Sequence, residues 1–387
     1  MKRFENSMSA EDDVDRLMRE SKGLPHGPAR IALVEEAVRL ADSRNDLPKA
    51  YDCRLELVSA ASSGGQPDVQ LVAFSWCLSQ FDRDNVLFGG RETEVDLLWK
   101  YKWVAGALPS FHQISRRQIA ETLDDLRRRY RADGSTMHAV HDEEQSIAIS
   151  MGDKPAAEMA HEKLLVARRD QFSNCAACVQ DRLISYHRFF DRHPNAIAAA
   201  EPILSGRLKC STVPHRTYPK LMNSLFRLDR LPEAMHYHRI GYPLVSSNPG
   251  HTAFVDDHIR FLTLTNNHAR ALRLSQQHFR VALGYASLNT RYAFLREVRL
   301  LFHFLKRTDT KTVDFPLPEG HPLATPSGRV SVVEFYNWLD ADTNRIGALY
   351  DARNGNPTFR QGLIDDISAA TVMKPFPFRK VSENRAT

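Results

Sequence analysis

Residues 174–218 read NCAACVQDRLISYHRFFDRHPNAIAAAEPILSGRLKCSTVPHRTY and have the look of one helix-turn-helix unit with Cys or His at each end. A unit of this kind cannot bury its apolar faces alone, so it must stack on neighbours. The second helix of the unit opens with His193-Pro194-Asn195-Ala196, where Pro falls in the first turn and its missing N–H costs nothing.

That opening recurs along the chain. Leu47-Pro48-Lys49-Ala50, Lys154-Pro155-Ala156-Ala157, Leu231-Pro232-Glu233-Ala234 and, without the Pro, His268-Ala269-Arg270-Ala271 repeat it. The alanines are 107, 39, 38 and 37 residues apart, and Ala120 divides the first gap into 70 and 37. A period near 37 joining two amphipathic helices is the pattern of a helical-hairpin solenoid. Partner helices are expected over roughly 67–82, 93–107, 136–151, 175–191, 216–228, 251–265 and 288–306. No segment alternates with period two, so no sheet is expected.

The expected fold is therefore all-α: a right-handed α-solenoid of about six hairpins with a C-terminal helical cap. Residues 1–27 form a polar lead-in with a short helix near 11–21, and 28–307 form the repeat array. A Pro-rich crossing segment over 308–330 is followed by capping helices over 331–373 and a disordered tail over 374–387. Asn354-Gly355 closes the long helix near 331–352 as a left-handed cap.

Composition narrows the function classes. Lys plus Arg number 52 against 47 Asp plus Glu, too small an excess to pull unspecifically on nucleic acid or anionic lipid. The opening residues are charged throughout and lack the apolar core of a secretory signal, and no run of 18 apolar residues follows. Five cysteines in such a chain point to reduced thiols and a cytoplasmic setting.

The repeat layout resembles tetratricopeptide-repeat proteins, although the period exceeds their usual one and no unit carries their full Trp-Leu-Gly-Tyr pattern. Residues 74–77 (FSWC), 97–103 (LLWKYKW), 201–206 (EPILSG) with Cys210, 214–218 (PHRTY) and 351–355 (DARNG) resemble blocks in a group of large bacterial tetratricopeptide-like proteins of unassigned function. The resemblance covers most of the chain and implies the fold alone.

Cys175, Cys178, Cys210 and His215 are the sharpest site. Tetrahedral zinc takes thiolate and imidazole ligands, and three Cys with one His close its coordination sphere. The antiparallel hairpin returns Cys210 to the edge where Cys175 starts, so a structural zinc would staple one inter-unit loop to the next. Two other readings stand beside it. Cys175 and Cys178 can be small core residues with Cys210 a free thiol, or the CxxC can serve thiol redox chemistry.

Trp76, Trp99, Tyr101 and Trp103 form either a peptide-anchoring patch or the knobs between successive helices. Arg127, Arg128 and Arg131, with Arg116, Arg117 and Arg129, form a basic face that holds an acidic partner or is simply the solvated side of its helix. His138, His141, Asp142 and Glu143, and separately His236 and His238, lack any defined metal-ligand order. Asp340-Ala341-Asp342-Thr343-Asn344 imitates a calcium loop, but Arg345 stands where the turn needs Gly.

Neither a phosphate-binding glycine loop nor a GxSxG nucleophile elbow is present. The chain thus reads as a non-catalytic scaffold binding a protein or peptide partner, with no small-molecule substrate. A metal- or thiol-responsive regulatory solenoid is the alternative, and a helical-repeat enzyme the third.

Overall fold

The computed structural model describes residues 12–246, 254–369 and 373–378. Contacts divide the chain into two compact units, Met1–Val104 and Ala105–Thr387. The fold is all-α helical repeat, as the period predicts.

Unit 1 contains α1 (Asp13–Lys22), α2 (Pro28–Ser43), α3 (Leu47–Gly64), α4 (Pro67–Arg83) and the single turn α5 (Asn85–Phe88), then most of α6 (Arg91–Ala107). Ile31, Val34, Val38 and Ala41 form the buried stripe of α2, as their spacing of 3, 4 and 3 requires. Gly64 ends α3 against Ile31, where a Cβ would come within 2.6 Å of the isoleucine Cδ1. The close approach explains the glycine.

Unit 2 continues with a 3-10 turn at Leu108–Ser110, then α7 (Arg116–Ala132), α8 (His138–Met151), α9 (Lys154–Val166), α10 (Ala176–Phe189), α11 (His193–Leu204), α12 (Thr217–Arg227) and α13 (Leu231–Ser246). After these come α14 (Val255–Leu264), α15 (His268–Leu283), α16 (Leu288–Leu305), α17 (Val332–Asn354) and α18 (Thr358–Ala369). Between α16 and α17, β1 (Thr312–Asp314) pairs antiparallel with β2 (Arg329–Ser331). This small ladder corrects the expectation of no sheet. Its buried Val313 and Val330 cover the core beside α16, a task that two residues perform without any alternating run.

A single turn geometry builds the hairpins. Asn45, Gly152, Asp191, Asp229 and Asn266 all have positive φ, and each precedes its buried alanine by five residues. The following amides, of Asp46, Asp153, Arg192, Arg230 and Asn267, donate to the carbonyls of Ala41, Ala148, His187, Leu225 and Leu262. This six-to-one bond closes the first helix in a Schellman turn, and the next residue caps or precedes the second. Ala50, Ala157, Ala196, Ala234 and Ala271 are at most 1% exposed, which lets paired helices approach closely. Ala120 does not belong to the series. It is exposed, and Ile119 occupies the buried place four residues past the Ser115 cap.

The C-terminal pair does more than cap α16. Tyr350 donates to the Ser110 carbonyl, and Arg353 donates to the carbonyls of Pro109, Phe111 and Ile114. Arg116 in turn donates to the Asn354 carbonyl, and Asn356 to that of Met151. The last helices of unit 2 thus lie against its first, which local periodicity cannot reveal.

The expected loose tail also differs from what is observed. Lys374 and Phe376 donate backbone N–H groups to Leu264 and Thr265, and Asn267 bonds both Phe376 and Phe378. Residues 374–378 are held against the α14–α15 turn; the rest of that tail lies outside the described residues. Among the described residues, no helix is long and apolar enough to cross a membrane.

Candidate metal centre and acidic groove

Cys175 caps the N-terminus of α10, its Sγ accepting the Cys178 N–H at 3.4 Å. Cys178 stands one turn further along, and Cys210 lies in the connection between α11 and α12. There the Cys210 N–H donates to the Val213 carbonyl at 3.1 Å. The three sulfurs all lie within 4.8 Å of one another and can hold a metal ion; Cys178 and Cys210 are 3.6 Å apart. His215 is not a member of this group, although it follows Cys210 by only five residues.

The surroundings treat the thiols differently. Burial pushes Cys178 up to about 12, partly opposed by Arg216. Burial also raises Cys210, but hydrogen bonds from the Thr212 hydroxyl and amide and from the Cys178 and Val213 groups outweigh it and bring its pKa down. Amides and hydroxyls aimed at sulfur favour the thiolate, the form that binds metal. Cys175 is exposed at the rim.

Charged side chains lock α10 on both sides. Asp181, fully buried, accepts from Thr217 and Lys220, both at 2.7 Å, and pairs with Arg216 at 2.9 Å. Burial alone would raise its pKa, yet Lys220 and Arg216 hold it below the usual carboxylate value. On the other side, Arg182 pairs with Asp142 and Glu143 of α8 at 2.9 Å each. Those carboxylates, read from sequence as metal donors with His138 and His141, are therefore occupied in joining helices. His141 bonds Glu144 and His138 is buried.

Other sequence candidates resolve similarly. In unit 1 Tyr101 is 4% exposed and packs 5.0 Å from Phe74, so it is core and offers no exposed anchor. Trp76 is half-buried beneath the Arg54 guanidinium, while Trp99 and Trp103 meet edge to face. On α7, Arg127 pairs with Asp124 and Glu144, Arg128 with Asp125, and Arg131 is exposed. The basic face is largely neutralised by its own carboxylates. Asp340 and Asp342 lie within α17 and pair with Arg299 and Arg291 of α16, so the calcium-loop imitation is helix. His236 is exposed, whereas His238 is buried against His258.

Sequence reading missed a groove of about 580 Å³ in unit 2, lined by α8, α10, α12, α14, α16 and α18. Ser185, Asn223, Arg260 and Glu297 all line it and are spaced 38, 37 and 37 apart. This polar position, recurring once per hairpin, is a signal that the repeat period carried. Six carboxylates (Asp191, Asp256, Asp257, Glu297, Asp365, Asp366) meet four arginines (Arg188, Arg227, Arg260, Arg296) around the groove. Arg260 bridges Glu297 at 3.1 Å and Asp366 at 2.8 Å, and Arg296 also clasps Asp366. Burial holds the Glu297 pKa at about 7 despite Arg260. Burial, then Asp257 and Glu297, hold Asp256 well above its ordinary value.

Ser224, His193 and Asp191 form a triad on paper, with His193 Nδ1 3.2 Å from the Ser224 hydroxyl and Nε2 3.9 Å from Asp191. The hydroxyl is fully buried and does not line the groove, so no substrate reaches it there. Neither a known protein family nor a curated protein matches the chain, and the site must be read from its own chemistry.

Proposed function

We propose that the chain is a non-catalytic helical-repeat scaffold whose unit 2 groove receives a basic, extended segment of a partner protein. The observation that carries this reading is the groove's surplus of carboxylates over guanidiniums, with one polar side chain contributed per hairpin. Carboxylates crowded enough to retain protons gain most from an incoming ammonium or guanidinium. The layout agrees with the resemblance to tetratricopeptide-like proteins, whose helix pairs suit extended ligands.

Structural zinc on Cys175, Cys178 and Cys210 completes the proposal. These residues join the start of the α10–α11 hairpin to the connection leading into α12, and sulfur is the donor set zinc prefers. His215 stands outside the thiol group, so solvent takes the fourth position. A zinc there would stabilise the edge of unit 2 without acting on a substrate.

Peptide-array binding with the full chain tests the scaffold. Lys- and Arg-bearing peptides should be selected, and Asp256→Asn should weaken them several-fold. Selection indifferent to charge, or unaffected by Asp256→Asn, would remove the reading. The 3.6 Å separation of Cys178 and Cys210 favours a second reading, a thiol-responsive scaffold in which oxidation joins these two sulfurs.

A further inference from the structure

A second cavity of unit 2, about 180 Å³, opens between α13 and α15 and is separate from the groove. Its lining includes Arg239, Arg270 and Arg273, with His238 at 5% exposure, and among the described residues no carboxylate lines it. Among the described residues, the guanidiniums of Arg270 and Arg273 make no hydrogen bond or ion pair, while the Arg270 backbone N–H donates to the Asn267 carbonyl. The Arg270 guanidinium instead lies 3.5 Å over the Phe378 ring, and that of Arg239 lies 5.0 Å from it. Phe378 is fixed by its backbone N–H, which donates to Asn267 at 3.0 Å.

Many other arginines of this chain are matched by carboxylates. On α7, in the groove and along α17, guanidiniums find Asp or Glu partners. Here Arg239, Arg270 and Arg273 line one concavity, and their charges bear on the groups between them: after burial, Arg273 and Arg239 depress Arg270, and Arg270 and Arg239 depress His238. Such crowding is relieved by a polyvalent anion. Guanidiniums favour tetrahedral oxyanions, which they can engage through paired N–H donors. The volume is below the usual range for drug-sized ligands, so the site suits a headgroup. Tyr242, Leu262 and Leu274 supply an apolar wall beside the charge.

We infer that the cavity between α13 and α15 is a binding site for a phosphate-type oxyanion, held by Arg239, Arg270 and Arg273. The anion is either free phosphate or the phosphoryl group of a monoester whose organic part lies on the apolar wall. The site stands independently of the scaffold reading, since it shares no lining residue with the groove.

Calorimetric titration of the full chain with inorganic phosphate and with phenyl phosphate, at constant ionic strength set by chloride, tests this. Saturable binding of phosphate is expected, weakened at least tenfold by Arg270→Gln with Arg273→Gln and unchanged by Arg128→Gln on α7. Tighter phenyl phosphate binding assigns the monoester, and equal binding assigns free phosphate. The exposed Arg273 permits Arg273→Gln alone to report should the double variant fail to fold; a several-fold loss is expected. The His238 ring proton resonances should move with the same saturation curve. No saturable binding at millimolar phosphate, equal loss in Arg128→Gln, or full binding by a folded Arg270→Gln/Arg273→Gln chain would overturn the site.

Discussion

The sulfur of Cys178, on the first turn of α10, lies 3.6 Å from that of Cys210, in the connection leaving the same hairpin. Thirty-two residues separate them in sequence, so the contact exists only because α11 returns the chain to the edge where α10 began. Protein purified without chelator should contain close to one zinc per chain, and Cys210→Ser should lower that content at least tenfold. Elemental analysis reads both. A chelator should also lower the melting temperature of the native chain, but not that of Cys210→Ser. Zinc near zero in the native chain removes the metal.

The same contact predicts an oxidative response. Hydrogen peroxide accepts two electrons from the zinc-bound Cys178 and Cys210 thiolates and two protons from solvent, so that the sulfurs become a disulfide and the peroxide becomes two waters. Zinc should then appear in solution, measured with a chromogenic chelator, in step with the loss of two titratable thiols. A thiol loss without zinc release would separate the two chemistries.

Asp181 is the buried hub beneath the thiols, serving Thr217, Arg216 and Lys220 of the next hairpin. Removing one partner of a buried ion pair leaves an uncompensated charge and costs about 3–5 kcal/mol. Asp181→Ala should therefore destabilise unit 2 by that order, measured by denaturant unfolding. Glu201→Ala, whose pair with Arg207 is solvent-exposed on both sides, should cost less than about 1 kcal/mol. Equal costs would mean that burial is not what gives Asp181 its weight.

How much of this could be read in advance depends on the length scale of each signal. The hairpin period is local: a left-handed residue, a cap, a first-turn Pro and a small residue recur within six positions, so Pro194 and Ala196 announce the turn around Asp191. Ala120 misled because an alanine beside Ile119 mimics the motif while the Ser115 cap sets the register one residue earlier. The cysteine cluster was legible because the period fixes which loops share an edge. The groove was not: Glu297 and Asp366 meet through α18, whose return depends on contacts such as that of Tyr350 with Ser110, 240 residues apart. Nor does a lone His238 in sequence reveal that His258 will face it.

Two buried groups give stability opposite slopes with pH. Glu297 is held at about 7 against an ordinary 4.5, mainly by burial, so the folded state retains a proton that the unfolded chain has lost. Its contribution is fully present below about 4.5 and is lost as pH rises through 7, by at most about 3 kcal/mol. His238 is depressed to about 4 by burial, then Arg270 and Arg239; its Nδ1 lies 3.0 Å from that of His258, itself held well below 6.5 by burial. One ring must donate and the other accept, which both being protonated forbids. This pair contributes stability that is full above 6.5 and lost as pH falls toward 4. Glu297→Gln abolishes the first titration while retaining a hydrogen-bonding amide, so stability between pH 5 and 7.5 should fall less steeply than in the native chain. His258→Phe should flatten the acid limb and leave the neutral limb unchanged. Denaturant unfolding across pH 4–8, followed through protection of unit 2 amides, measures both limbs. A Glu297→Gln profile parallel to that of the native chain would show that Glu297 is ionised throughout.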